Sequence, residues 1–220
     1  MVSLFLQLNT FHRFILADIS FSFGHSIVFV GSNWYLFSLT KSDSTVGMNI
    51  ILHIIGGALL FRVVGAIIDK NDRYRIMFHC VIFRFFLTIL TIILLLVFSK
   101  NGMYWIFAYS FVNGLIWMMY QATSRAYLQE ILFTRLFESN ATREVSIQCS
   151  VFSAAGISGM VYQSSGLNGI LLVNSMALIV GILILASIDP VRATSIDKSS
   201  KKNDSIQTNY SWNVIEINYT

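Results

Sequence analysis

Apolar residues along this chain fall into six long runs, near 14–39, 48–68, 76–98, 103–124, 145–163 and 168–188, separated by short polar turns. About 20 apolar residues carry an α-helix through a hydrocarbon core of roughly 30 Å, so each run predicts one membrane-spanning helix. Barrel strands would alternate in polarity over about ten residues, whereas these runs are continuous, and a single proline in 220 residues also favours helices. The pattern predicts an all-α membrane protein with six transmembrane helices.

Polar exceptions inside the runs are placed with a helical period. In the first run Asp18, Ser22, His25, Phe29 and Ser32 recur at steps of three and four, which puts them on one face. In the fourth, Tyr109, Asn113, Trp117, Gln121 and Ser124 do the same. A polar stripe on a membrane helix faces protein or water. The second run carries Gly56 and Gly57, and the fifth carries Ala154, Ser158 and Gly159, small residues that let helix backbones approach closely. The third and sixth runs are nearly bare of polar residues, which predicts peripheral helices facing lipid. Arg62 and Arg84 lie within helices near the inner ends, where long side chains snorkel to the interface. Residues 41–45 form a predicted outer loop, and Ser139 or Asn140 is the expected cap of the fifth helix.

Composition adds confirmation: 55% of residues are hydrophobic and 12% charged, far from a soluble domain of this length. The placement of Lys and Arg decides more than the net charge of +4. Eleven of them, from Arg13 through the turn at 70–75, Arg125, Arg135 and Arg143 to Lys202, fall on one side; Lys41 and Lys100 fall on the other. The positive-inside rule then puts both termini in the cytoplasm. Three stretches follow: a cytoplasmic N-terminus at 1–13, a membrane domain at 14–188, and a polar cytoplasmic tail or linker at 189–220. The long first run is expected to be its own insertion signal. Cys80 and Cys149, both near cytoplasmic helix ends, are not expected to pair. The sequons of the cytoplasmic stretches, at Asn140, Asn203, Asn209 and Asn218, carry no weight there. No metal-ligand spacing, nucleophile elbow or phosphate-binding glycine loop appears, so neither an enzyme nor a cofactor or metal is expected, and nothing points to nucleic acid.

The charged turn between the second and third runs holds Gly65, Asp69, Lys70, Arg73 and Arg75. A glycine, an aspartate four residues later and then a basic cluster resemble the loop that marks major facilitator superfamily transporters, although Asp72 stands where that pattern has a second glycine. Trp34, Tyr35 and Leu36, the 69–77 turn and residues 128–132 make the resemblance closest to the bacterial drug and macrolide efflux branch, and it covers only an amino-terminal half. It implies six helices built as a 3+3 inverted repeat, with helices one and four lining a central cavity. A short echo of residues 65–69 in residues 159–163 sits at matching points of the two triplets. The resemblance further implies that Gly65, Asp69, Lys70, Arg73, Arg75 and Arg125 form a cytoplasmic gate, and that Asp18, Ser22, His25, Asn113, Trp117 and Gln121 face a substrate and proton path. The antiporter motif of the fifth helix is degenerate here, with alanine at the proline position.

The expected function is efflux of a small molecule across a bacterial plasma membrane. The expected partners are the lipid bilayer, a small-molecule substrate, with proton coupling, and a second six-helix half, supplied by a separate chain or by a homodimer. A chain ending in its polar tail is expected to be a truncated or split half that does not transport as a monomer. The alternatives from the same residues are an importer of the same superfamily and a non-transporting membrane scaffold.

Overall fold

The computed structural model describes residues 2–59, 61–131 and 136–188. Every regular element among them is helical: α1 (Val2–Thr40), α2 (Asp43–Leu59), α3 (Phe61–Lys70), α4 (Arg73–Val97), α5 (Gly102–Ile131) and α6 (Leu136–Ala186), with one 3-10 turn at Ser99–Asn101. Three stretches, Thr10–Thr40, Arg73–Val97 and Phe137–Ala186, are long and apolar enough to cross a membrane, and α2 with α3, bent by 51°, makes a fourth if the pair is one span. The run at 103–124 became α5, whose Tyr, Trp, Asn and Gln dilute its apolarity, and α5 is not among these spans. The runs at 145–163 and 168–188 are joined in α6, broken at Gly166. There φ is 61° and ψ −158°, a conformation that only glycine adopts without strain.

Several boundaries differ from the sequence expectation. The stretch at 1–13 is helical from Val2 onward, and Phe11 is buried in the core. The outer loop shrinks to Lys41 and Ser42, because Lys41 turns the chain with φ 52° and Asp43 already opens α2, where its charge suits the positive end of the helix dipole. Ser139 and Asn140 cap nothing, since α6 begins earlier, at Leu136. Asp72 is the N-cap of α4, its carboxylate accepting from the Arg75 backbone N–H at 3.2 Å. An aspartate in place of glycine therefore serves a helix start. The tail at 189–220 and the side chain of Arg62 lie outside the described residues.

Two apolar clusters define the two ends of the bundle. One gathers Phe11 and Phe14 of α1, Met77 and Val81 of α4, Tyr127, Leu128 and Ile131 of α5, and Leu185 and Ile188. The other joins Ile27, Val28 and Leu36 of α1 to Ile106 and Tyr109 of α5 and to Leu167, Ile170 and Leu171 just past the Gly166 break. At the first end Arg13 Nη1 donates to the Ser187 carbonyl at 2.8 Å, and the Tyr74 hydroxyl donates to the Leu185 carbonyl at 2.9 Å. At the second, Ser38 Oγ and the Tyr162 hydroxyl lie 2.7 Å apart. The outward faces of α4 and of α6 beyond Gly166 are apolar and exposed, through Phe83, Phe86, Leu90 and Ile93 on one and Leu172, Met176, Val180 and Leu183 on the other. Lipid tails are as apolar as these side chains, so helix association rests on close packing and interhelical hydrogen bonds.

That packing is tightest where α2 crosses α5. A Cβ added at Gly56 would run into the Phe111 carbonyl oxygen, and one at Gly114 into the carbonyl oxygen of His53. Gly57 faces Gly114 and Met118 at ordinary contact distance. In α6, Ala154 and Ser158 are fully buried, but Gly159 has no neighbour that a Cβ would meet. One residue past Ser158, Gly159 is turned about 100° off the contact face, so it takes no part in the packing expected of it.

Candidate functional site

The stripe on α1 buries a carboxylate. Asp18 is 1% exposed, its Oδ1 accepts from the Tyr120 hydroxyl at 2.8 Å, and its Oδ2 lies 2.8 Å from Arg143 Nε. The Nε–H is not aligned for a hydrogen bond, so charge holds that contact while Tyr120 supplies the directed one. Arg143 is itself 2% exposed, and its Nη2 donates to Gln121 Oε1 and to Ser124 Oγ, both at 2.7 Å. One ion pair thus ties α1, α5 and α6 together. Taking two charges out of water costs several kcal/mol each, which only good geometry and further hydrogen bonds offset.

Arg143 corrects the sequence reading, which placed it among the loop charges that orient the chain. It belongs to a helical row, because Arg143, Ile147, Ser150, Ala154 and Ser158 recur at steps of four and three and are all buried. The row of small residues was visible in the sequence, and its extension by two turns would have reached Arg143.

Above the ion pair the two stripes meet. The His25 ring stacks on Trp117 with centroids 3.8 Å apart and planes 6° from parallel, and Asn113 Nδ2 lies 3.4 Å from His25 Nδ1. His53 of α2 completes the group, 5.2 Å from His25 and donating from Nδ1 to the Ser110 carbonyl at 3.1 Å. Ser22 Oγ and Asn113 Oδ1 are buried without a protein partner among the described residues. An open cavity of about 530 Å³ adjoins this group, lined by His25, Trp117 and Gln121 together with Arg125, Glu144 and apolar residues of α1 and α6. Of the residues expected on a path, His25, Trp117 and Gln121 reach the cavity, whereas Asp18, Ser22 and Asn113 lie behind it.

A second buried arginine lies on the far side of Trp117. Arg84 is 4% exposed, and its guanidinium lies 6.0 Å from the Trp117 ring centroid. It donates to the Phe21 carbonyl at 3.3 Å and to Asn174 Oδ1 at 3.4 Å, and Asn174 donates in turn to Thr88 Oγ1 at 3.0 Å. Arg84 does not snorkel. A backbone carbonyl, an amide and an aromatic face, from three different helices, offer it partners inside the bundle.

At the charged turn the structure pairs Arg73 with Glu130 at 2.9 Å, and Arg73 also donates to the Ala126 carbonyl at 3.1 Å. Arg75 lies 3.7 Å from Asp72. Gly65, Asp69, Lys70 and Arg125 are exposed, and no ion pair among the described residues includes Asp69 or Arg125. Arg125 faces the 530 Å³ cavity instead, so the six residues expected at a gate are split between two places. Among the described residues no group of His, Cys, Asp or Glu is placed to hold a metal ion.

No family model matches the chain, and no curated protein does. The site is therefore argued from its geometry. Two buried guanidiniums, one buried carboxylate and an aromatic pair beside an open cavity form a polar interior that exposed apolar surfaces enclose. Polar and ionisable groups are expensive in such a setting, and they mark ion and solute paths by default.

Proposed function

We propose that the chain is one half of a secondary transporter of the major facilitator type. It crosses a bacterial plasma membrane six times with both termini in the cytoplasm, and it exports a small molecule with Asp18 as the group that takes up the coupling proton. The observation that carries this reading is the buried Asp18–Arg143 pair set directly behind the open cavity. Protonating Asp18 removes the charge that holds Arg143 to α1, while the bonds of Arg143 to Gln121 and Ser124 remain on α5. Proton uptake would then loosen α1 against α5 and α6 at the cavity wall.

Helix pairing supports the inverted repeat. Exchanging α1 with α5, α2–α3 with the part of α6 before Gly166, and α4 with the part after it, maps the main pairings onto one another. The α1 contact with the later part of α6, through Gly24 and Asn174, becomes that of α5 with α4; the α2 contact with α5 becomes that of α1 with the earlier part of α6. The start of α1 and the end of α6 share one apolar cluster, which supports an even number of crossings, as six requires.

The test is transport. The purified chain is reconstituted in liposomes carrying a pH gradient and a fluorescent cationic dye, with oligomeric state fixed by crosslinking. Dye movement that follows the gradient in crosslinked dimers, and its loss in Asp18→Asn at equal protein level, is the expected result. The same pH dependence in Asp18→Asn and parent would reject the proton role, and robust transport by a demonstrated monomer would reject the half-transporter reading.

A further inference from the structure

Away from the cavity and the ion pair, a groove of about 930 Å³ runs along the outside of the bundle between α3, α4 and α5. Its two ends differ chemically. One end carries Lys70, Arg75 and His79, all exposed, with Asp72 as the single acidic side chain. His79 uses Nδ1 to donate to the Arg75 carbonyl at 2.6 Å, which leaves its other ring nitrogen turned away from the helix backbone. The rest of the groove is apolar: Ile82, Phe83 and Phe86 of α4 form one wall, and Leu115, Ile116 and Met119 of α5 form the other.

We infer that this groove is a binding site for one anionic phospholipid of the inner leaflet, its phosphate on Lys70, Arg75 and His79 and an acyl chain between Phe83 and Met119. The inference rests on the proposed membrane insertion and sidedness and not on transport. Three observations select this occupant. The basic side chains that line the groove gather where α4 starts at Arg73, and the positive end of the helix dipole adds to their field. The apolar walls descend along α4, one of the spans that is long and apolar enough to cross the bilayer, so the groove has the polarity profile of a lipid standing in one leaflet. Phe83 and Phe86 are 57% and 63% exposed, which leaves them free to meet a lipid tail. Basic pockets between transmembrane helices on the cytoplasmic side recognise anionic head groups in this way. A free phosphate would use the basic end and leave the apolar walls without a role.

Native mass spectrometry of the full chain in detergent, with dioleoyl-phosphatidylglycerol or dioleoyl-phosphatidylcholine added at equal concentration, reads the retained lipid. Phosphatidylglycerol should be retained in preference, and K70Q/R75Q should lower its affinity about thirty-fold, the equivalent of ~2 kcal/mol for two basic residues near a head group. F83S/F86S, which keeps every charge, should weaken retention of both lipids. Inorganic phosphate at millimolar concentration should displace neither. Equal retention of the two lipids by the parent, an unchanged preference in K70Q/R75Q, full retention in F83S/F86S, or displacement by phosphate alone would each overturn the inference. Both variants alter exposed residues, and an unchanged helical circular dichroism spectrum confirms that each is folded before it is scored.

Discussion

Removing either member of the Asp18–Arg143 pair should be far more damaging than removing both. In Arg143→Leu the Asp18 carboxylate keeps the Tyr120 hydroxyl but loses its only described cation, while remaining 1% exposed. In Asp18→Leu the guanidinium keeps Gln121 and Ser124 and loses its counter-charge. An uncompensated buried charge of this kind costs about 3–5 kcal/mol, more than a hundredfold in the folded population at the lower bound. The double variant Asp18→Leu with Arg143→Leu buries no charge and leaves Tyr120, Gln121 and Ser124 to repair their hydrogen bonds at ~1–3 kcal/mol. Such replacements are often neutral or stabilising by about 1–4 kcal/mol, so the double variant should lie near the parent. The coupling read from the cycle should then be at least ~3 kcal/mol and of the sign that rescues. Equilibrium unfolding in a mild detergent titrated with dodecyl sulfate, followed by circular dichroism, measures all four proteins. Additive single effects, or singles within about 0.5 kcal/mol of the parent, would mean that Asp18 and Arg143 do not share a buried contact.

Three further outcomes follow from the packing and the charged turn. Gly114→Ala drives a methyl group into the His53 carbonyl oxygen and should cost about 1–3 kcal/mol of stability, whereas Gly65→Ala and Gly159→Ala, which meet nothing, should stay within roughly 0.5 kcal/mol by the same unfolding assay. Asn174→Ala strips Arg84 of an acceptor and Thr88 of a donor, and should lower stability by about 1–3 kcal/mol, visible as an earlier thermal transition in detergent. Asp69→Asn touches no described ion pair and should leave stability unchanged. If Asp69 serves a gate, the same variant should slow transport in the liposome assay, and unchanged transport would confine Asp69 to the turn.

What the sequence made legible was periodicity. The stripes on α1 and α5 could be read as faces because a helix repeats every 3.6 residues, and those faces do meet, at His25 against Trp117 and at Tyr120 against Asp18. Gly166 was legible as a turn residue, and its non-helical backbone does break α6 into two parts. The partners of charged residues were not legible. Arg143 and Arg84 were assigned by distance from the ends of apolar runs, a one-dimensional measure that cannot see a carboxylate or a carbonyl on another helix. Asp69 met the complementary limit: its spacing to Arg73 matched a known loop, yet Arg73 turns to Glu130, more than fifty residues further on. The run at 103–124, expected to cross, is not among the apolar spans, since the aromatic and amide residues that make α5 the polar wall also lower its hydropathy.

Six crossings with both termini inside are the claim on which the transporter reading stands, and sided labelling tests it most directly. In a chain with Cys80 and Cys149 replaced by serine, single cysteines are placed at the exposed positions Asn71, Lys100, Glu138 and Ser164. A membrane-impermeant maleimide is then applied to right-side-out and to inside-out vesicles. Cysteine at 71 and 138 should react only in inside-out vesicles, and cysteine at 100 and 164 only in right-side-out ones. Reaction at 164 from the same side as 138 would make the break at Gly166 a bend within a single pass and would contradict the six-crossing account.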